Sequence, residues 1–188
     1  MDETTKVIIA TLSGFIIAFF AEPVKNYFTV RAKLHNLRIA LYKEMIHNYI
    51  TINTLNAHRN DEQPEITLYL TRGFRIECFK NALQNELSLF YQLNETSAII
   101  VVQGIAEGII NFSNDVKSLI SEPFSNRELF LGIQTLSKEF QDTFAFSFYT
   151  GMFDLKILKR LSGKEAYQQV LEKGKEASSR ANAKHDEE

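Results

Sequence analysis

The chain has no tryptophan, a single cysteine, three prolines and eight glycines in 188 residues. With Cys78 alone, no intramolecular disulfide can form, and a reducing compartment is compatible with the sequence. So few prolines and glycines leave long stretches without turn punctuation. That disfavours a β-sandwich or barrel and leaves room for long helices. A charge excess is also lacking. The formal net charge is −2, so the molecule has no electrostatic reason to seek nucleic acid, and no nucleic-acid partner is expected. There is no P-loop, GxSxG, zinc-ligand spacing or dinucleotide fingerprint.

What is present is close to a globular average: 45% hydrophobic and 23% charged residues, with fifteen Phe and seven Tyr. This argues against disorder and against a chain lying mostly in lipid. The length suits one ordinary domain plus an appendage.

The appendage is visible near the start. From Val7 to Ala21 the sequence reads VIIATLSGFIIAFFA, without charge. Its two hydroxyls, Thr11 and Ser13, can bond carbonyls one turn back, so neither forbids burial in lipid. About 15 helical residues span ~22 Å, short of the ~30 Å hydrocarbon core. The span lengthens if Glu22 and Lys25 sit at the interface, Lys6 snorkels, and Tyr27 and Phe28 lie among the headgroups. Pro23 is placed to kink the helix on exit. A signal peptide would have a basic start and a small-x-small site, whereas this chain offers MDETTK and Phe-Phe-Ala. A buried core helix is the stronger rival, because the run is short. A transmembrane anchor over residues 1–23 is the expectation, with Val7, Ile8, Ile9, Leu12, Phe15, Ile16, Ile17, Phe19 and Phe20 facing lipid. Lys25, Arg31, Lys33 and Arg38 follow the run, whereas Asp2 and Glu3 precede it. The positive-inside rule then puts the C-terminal domain in the cytoplasm with those basic residues at the membrane surface.

Residues 24–173 read as a helical bundle domain. Val30, Leu34, Leu37, Leu41, Met45, Tyr49 and Ile52 recur at three- and four-residue steps, predicting a first helix to about Asn56. HRNDEQPE breaks it, and Pro64 suits the first turn of a second helix carrying Leu70, Phe74, Cys78, Ala82, Leu83, Leu87, Phe90 and Leu93. A third is expected from Thr96 to Ile120, with Asn94 before it as cap. Ser125 with Glu128 forms a capping box for a fourth, stapled by Phe124 and Leu129 and continuing through Ile133, Leu136, Phe140, Phe144 and Phe148. Ser162 with Glu165 opens a short C-terminal helix through Tyr167, Val170 and Leu171. Residues 174–188 are too polar to pack and are expected to fray. The fold class is therefore all-α: one transmembrane helix, then an antiparallel bundle of about four long helices plus a short one.

Few residues point to chemistry. Glu44 and His47 form one Glu-x-x-His pair where di-metal bundles use two, so neither a metal nor any other cofactor is expected. Glu44, His47, Asn48 and Glu107 would form a polar pocket if the first and third helices faced each other. Cys78 falls on an apolar stripe, where cysteine is usually a small buried residue. Gly104 and Gly108 form a GxxxG spacing in an almost uncharged helix. The plain reading is a central helix whose glycines accept Phe side chains from the fourth; a second membrane segment is disfavoured by Gln103 and Glu107. Phe146, Tyr149 and Phe153 lie off the Phe140–Phe144–Phe148 stripe and are candidate interface residues.

The expected function is a membrane-tethered interaction or effector module without enzymatic activity. Its partners are the lipid bilayer and a protein partner or second copy. The alternatives are an enzyme or ligand-binding bundle using the polar pocket, and a soluble protein whose N-terminal run is an oligomer interface.

Overall fold

A computed structural model describes residues 2–57, 73–119 and 126–185, and every regular element among them is an α-helix. Helix α1 (Glu3–Ala57) is followed by two short helices, α2 (Glu77–Asn85) and α3 (Leu87–Phe90). Three long ones complete the chain: α4 (Thr96–Leu119), α5 (Asn126–Tyr149) and α6 (Leu155–His185). The result is a helical bundle, as the 3.6-residue periodicity implied.

Side-chain contacts fix the directions. Arg38 and Glu44 of α1 meet Glu95 and Gln103, so α4 runs parallel to α1. Tyr42 meets Phe148 and Tyr49 meets Phe144, so α5 runs against α1. Asp142 pairs with Arg180 and Ala145 backs onto Gly174, so α6 runs against α5. The parallel α1–α4 pair departs from a simple up-down order. It arises because residues 73–95 return along α1, with Gly73 beside His47, Phe79 beside Glu44 and Glu95 beside Arg38.

The core is aromatic. Phe140 and Phe144 stack at 5.9 Å, Phe144 meets Phe148 at 5.0 Å, and Phe148 meets Phe153 at 4.9 Å. Tyr42 and Tyr49 of α1 close over this column. Such pairs add about 0.5–1.5 kcal/mol each beyond the area they bury. Phe153 is thus a core residue, 2% exposed, and not an interface residue. The chain turns back after Tyr149, so helical spacing no longer says which way Phe153 points.

Three further expectations are corrected. The second long helix, in its described part, is a bend followed by α2 and α3; Pro64 and Leu70 lie outside the described residues. The C-terminal helix is long: α6 has 31 residues in two segments meeting at Gly163, whose φ of 76° only glycine adopts readily. Ser162 does not cap the second segment; its hydroxyl bonds the Leu158 carbonyl. Nor does the chain fray at residue 174. It stays helical to His185 because Gly174 is buried against the Ala145 carbonyl and Arg180 pairs with Asp142 at 2.9 Å. Phe124 and Ser125, and the side chains of Glu128 and Leu129, are outside the described residues.

The glycine that accepts a phenylalanine between α4 and α5 is Gly132, where an added Cβ would meet Phe112 Cζ at 2.6 Å. Gly104 and Gly108 face open space instead. The two environments predict opposite signs. Gly174→Ala brings a methyl to 2.5 Å from the Ala145 carbonyl oxygen and is expected to destabilise by about 1–3 kcal/mol. Gly104→Ala meets nothing within 4 Å and is expected to stabilise its helix by about 0.5–1 kcal/mol. Denaturant unfolding of the two variants followed by helical circular dichroism checks both.

Candidate functional site

Glu44, His47 and Asn48 occupy one face of α1, three and four residues apart, and all three hold the returning backbone. His47 Nε2 donates to the Gly73 carbonyl at 2.8 Å. The Asn48 amide grips the Arg75 peptide at both ends: Nδ2 donates to its carbonyl at 2.7 Å and Oδ1 accepts its N–H at 2.8 Å. Glu44 accepts the N–H of Cys78 at 2.7 Å and of Phe79 at 3.1 Å, at the start of α2. From α4, Gln103 Nε2 donates to Glu44 Oε1 at 2.8 Å. Helix α2 has no side-chain cap of its own at Ile76, so Glu44 caps it from another helix.

Burial pushes the Glu44 carboxyl above its ordinary range, against the opposing pull of the Cys78 and Phe79 N–H groups. Burial and the Glu44 charge likewise push the Cys78 thiol up, which makes it a poor nucleophile. Glu107 does not join this group. It is partly exposed on α4 and pairs with Lys80 at 3.2 Å. The pocket residues therefore separate into a clamp of three, with Glu44 and Asn48 buried and His47 half-buried, and a surface ion pair. Among the described residues, no group of three or more His, Cys, Asp or Glu could hold a metal ion.

A second cluster lies nearer the N-terminal end of the bundle. Arg38 donates two hydrogen bonds to Glu95, the Nη2–Oε2 one at 3.2 Å. Tyr42 Oη donates to Glu95 at 3.4 Å and accepts the Asp154 N–H at 2.9 Å. Asp154 in turn caps α6 through Lys156 N–H at 2.8 Å. That cap, an Asp directly before an amphipathic run, was available in the sequence as the start of α6. Of the basic residues that follow the apolar run, Arg38 is the one paired with a buried acid, Glu95.

No known protein family, curated protein or solved structure matches the chain. Its surfaces alone speak to function.

The first half of α1 stands clear of the bundle. Every described side chain from Thr11 to Lys33 is exposed, and burial begins only at Leu34 and Leu37. Leu12, Phe15, Ile17, Phe19 and Phe20 are 56–72% exposed. The side chains of Val7, Ile8, Ile9 and Ile16 lie outside the described residues. Lys25, Arg31 and Lys33 are exposed below them. Among the described residues, the one helix apolar enough by length and composition to cross a membrane is α4, over Thr96–Asn114, yet Ile99, Val102, Ala106 and Ile109 are fully buried and Gln103 bonds Glu44. Of the candidate interface residues, Tyr149 is 45% exposed, beside Met152 at 53%, and Phe146 is half-buried.

The clamp makes a pH prediction. The folded Glu44 carboxyl holds its proton more tightly than an unfolded one with a pKa of 4.5. The folded state therefore binds more protons between 4.5 and the folded value, and stability attributable to Glu44 falls as pH rises through that window. Unfolding free energies of wild type and Glu44→Gln measured from pH 4 to 8 should show wild type losing ground as pH rises; a constant difference defeats this. Glu44→Ala, which strands three donors, should cost about 2–4 kcal/mol at any of these pH values.

Proposed function

We propose that the chain is a membrane-tethered helical interaction module without enzymatic activity, its first apolar run lying in the bilayer and its bundle on the cytoplasmic side. One observation carries the reading. Five large apolar side chains, Leu12 to Phe20, are more than half exposed on a helix that continues unbroken into the bundle. Each would gain about 1.5–3 kcal/mol by leaving water. Lipid offers that gain along the whole run and on every side of the helix.

Pro23 lies inside α1, where it cannot donate to the Phe19 carbonyl. Such a gap is tolerated where a helix leaves hydrocarbon, because headgroup water can bond the freed carbonyl. Sidedness rests on charge: Asp2 and Glu3 precede the run, and Lys25, Arg31 and Lys33 follow it. The surface offered to a protein partner is the turn joining α5 and α6, with Tyr149 and Met152 exposed. Against an enzyme, Glu44, His47 and Asn48 are engaged with the backbone of residues 73–79.

Alkaline carbonate extraction of cells expressing the full chain tests the tether. The full chain is expected in the membrane pellet, needing detergent for release. A chain beginning at Asn26, which removes no buried described side chain, should be soluble and unfold cooperatively. Recovery of the full chain in the detergent-free supernatant would overturn the proposal and favour an oligomer interface along α1.

A further inference from the structure

Below the apolar run, α1 carries an exposed aromatic pair, Tyr27 and Phe28, with ring centroids 5.7 Å apart. One turn on, the Arg31 guanidinium sits over the Tyr27 ring at 5.9 Å from its centroid and donates to the Tyr27 hydroxyl at 3.2 Å. Phe28, Arg31, Ala32, Leu34, His35 and Arg38 line a shallow open hollow. Between Pro23 and Lys43 there is no acidic residue in sequence; of the acids that reach this stretch from elsewhere, Glu95 is taken by Arg38, Asp154 meets Tyr42, and Glu86 lines the separate groove of Lys33. Arg31 and His35 are thus left as the outward-facing cationic and polar groups of the hollow, with Phe28 at its bilayer edge.

The geometry points to a headgroup site: the hollow seats the phosphate of an anionic phospholipid on Arg31 and His35, with Tyr27 and Phe28 at the acyl–headgroup boundary. This rests on the tethered reading and names the lipid class it would meet. Arg31 lies about 4–5 Å along the helix from Phe28 and His35 about 10 Å, which spans the headgroup layer when the aromatic pair sits at its inner edge. Tyr27 pre-orients the guanidinium, so little side-chain entropy is lost on binding a phosphate. Lys33 lies on another side of α1, in the groove lined by Asn36, Asn81 and Gln92, and belongs to a different surface. Lys43 is also exposed but lies ~22 Å along the helix from Phe28, beyond the headgroups.

The test is native mass spectrometry of the detergent-solubilised full chain titrated with phosphatidylglycerol or phosphatidylcholine, beside carbonate extraction of the same variants. Wild type should retain phosphatidylglycerol over phosphatidylcholine. Arg31→Gln should lower that retention about fivefold, the value of one charge at a membrane surface, and Lys43→Gln should leave it unchanged. Arg31 makes only local contacts on an exposed turn, so its loss does not endanger the fold. Equal retention of the two lipids by a carbonate-resistant chain overturns the headgroup site and leaves the tether standing. An equal effect of Lys43→Gln overturns it in favour of diffuse charge. Displacement of phosphatidylglycerol by millimolar inorganic phosphate assigns the hollow to a free anion, which also overturns it. Release of the chain by carbonate removes the tether and this site together.

Discussion

A carboxylate taken out of water must find donors, and at Glu44 that requirement organises half the bundle. Its two oxygens collect N–H groups from the start of α2 and from Gln103 of α4, so three elements converge on one side chain. Helix α2 is only 9 residues long and without a cap of its own, too short to hold its shape unaided. Glu44 supplies the missing acceptor where the positive end of the helix favours negative charge. Asn48 fixes the segment just before it by occupying both bonding groups of the Arg75 peptide, which are then unavailable to a helix running back from α2. Residues 73–76 are thus held in place by side chains of α1.

The Arg38–Glu95–Tyr42–Asp154 cluster does the corresponding work one to two turns earlier on α1. Glu95 is nearly buried, and its pairing with Arg38 and Tyr42 holds the entry to α4. Tyr42 joins this to the entry of α6 through the Asp154 N–H, and desolvation keeps its hydroxyl protonated, pushed well above the usual tyrosine range. A tyrosine in that position therefore serves as donor and acceptor at every accessible pH. Both clusters use side chains of α1 to start other helices, with the aromatic column filling the space between them.

This division explains what could be read in advance. Where one helix buries one face, the spacing of apolar residues is the whole determinant, so α1, α4 and α5 stand close to their expected bounds. The stripe Leu37, Leu41, Met45, Tyr49, Ile52 is buried as its period requires. Leu83, Leu87 and Phe90 have the same period, but the chain leaves the helix at Glu86 and Leu87 ends 46% exposed, while the start of α2 is set by tertiary bonds from Glu44 and Asn48. Those bonds join residues ~30 positions apart, which no local window contains. The site was legible in part for the same reason. The spacing of Glu44, His47 and Asn48 put them on one face, but whether that face met solvent, metal or backbone depended on where residues 73–79 returned. The roles of Gly174 and Arg180 have no local signature because their partners, Ala145 and Asp142, lie on the preceding helix.

On the tethered reading, an unbroken α1 also settles which end of the bundle faces lipid. Numbers rise along α1 away from the apolar run, so elements meeting its lowest buried residues lie nearest the bilayer. Ser88 and Gln92 share a groove with Val30 and Lys33, and Asp154 reaches Tyr42. The turn after α3 and the turn between α5 and α6 therefore both point back toward the membrane. These turns carry Tyr91 at 62%, Tyr149 at 45% and Met152 at 53% exposure, amphipathic or soft side chains suited to a protein partner. A flexible linker would let that end turn toward bulk water. A continuous helix does not, so a tether of this kind would fix orientation as well as address.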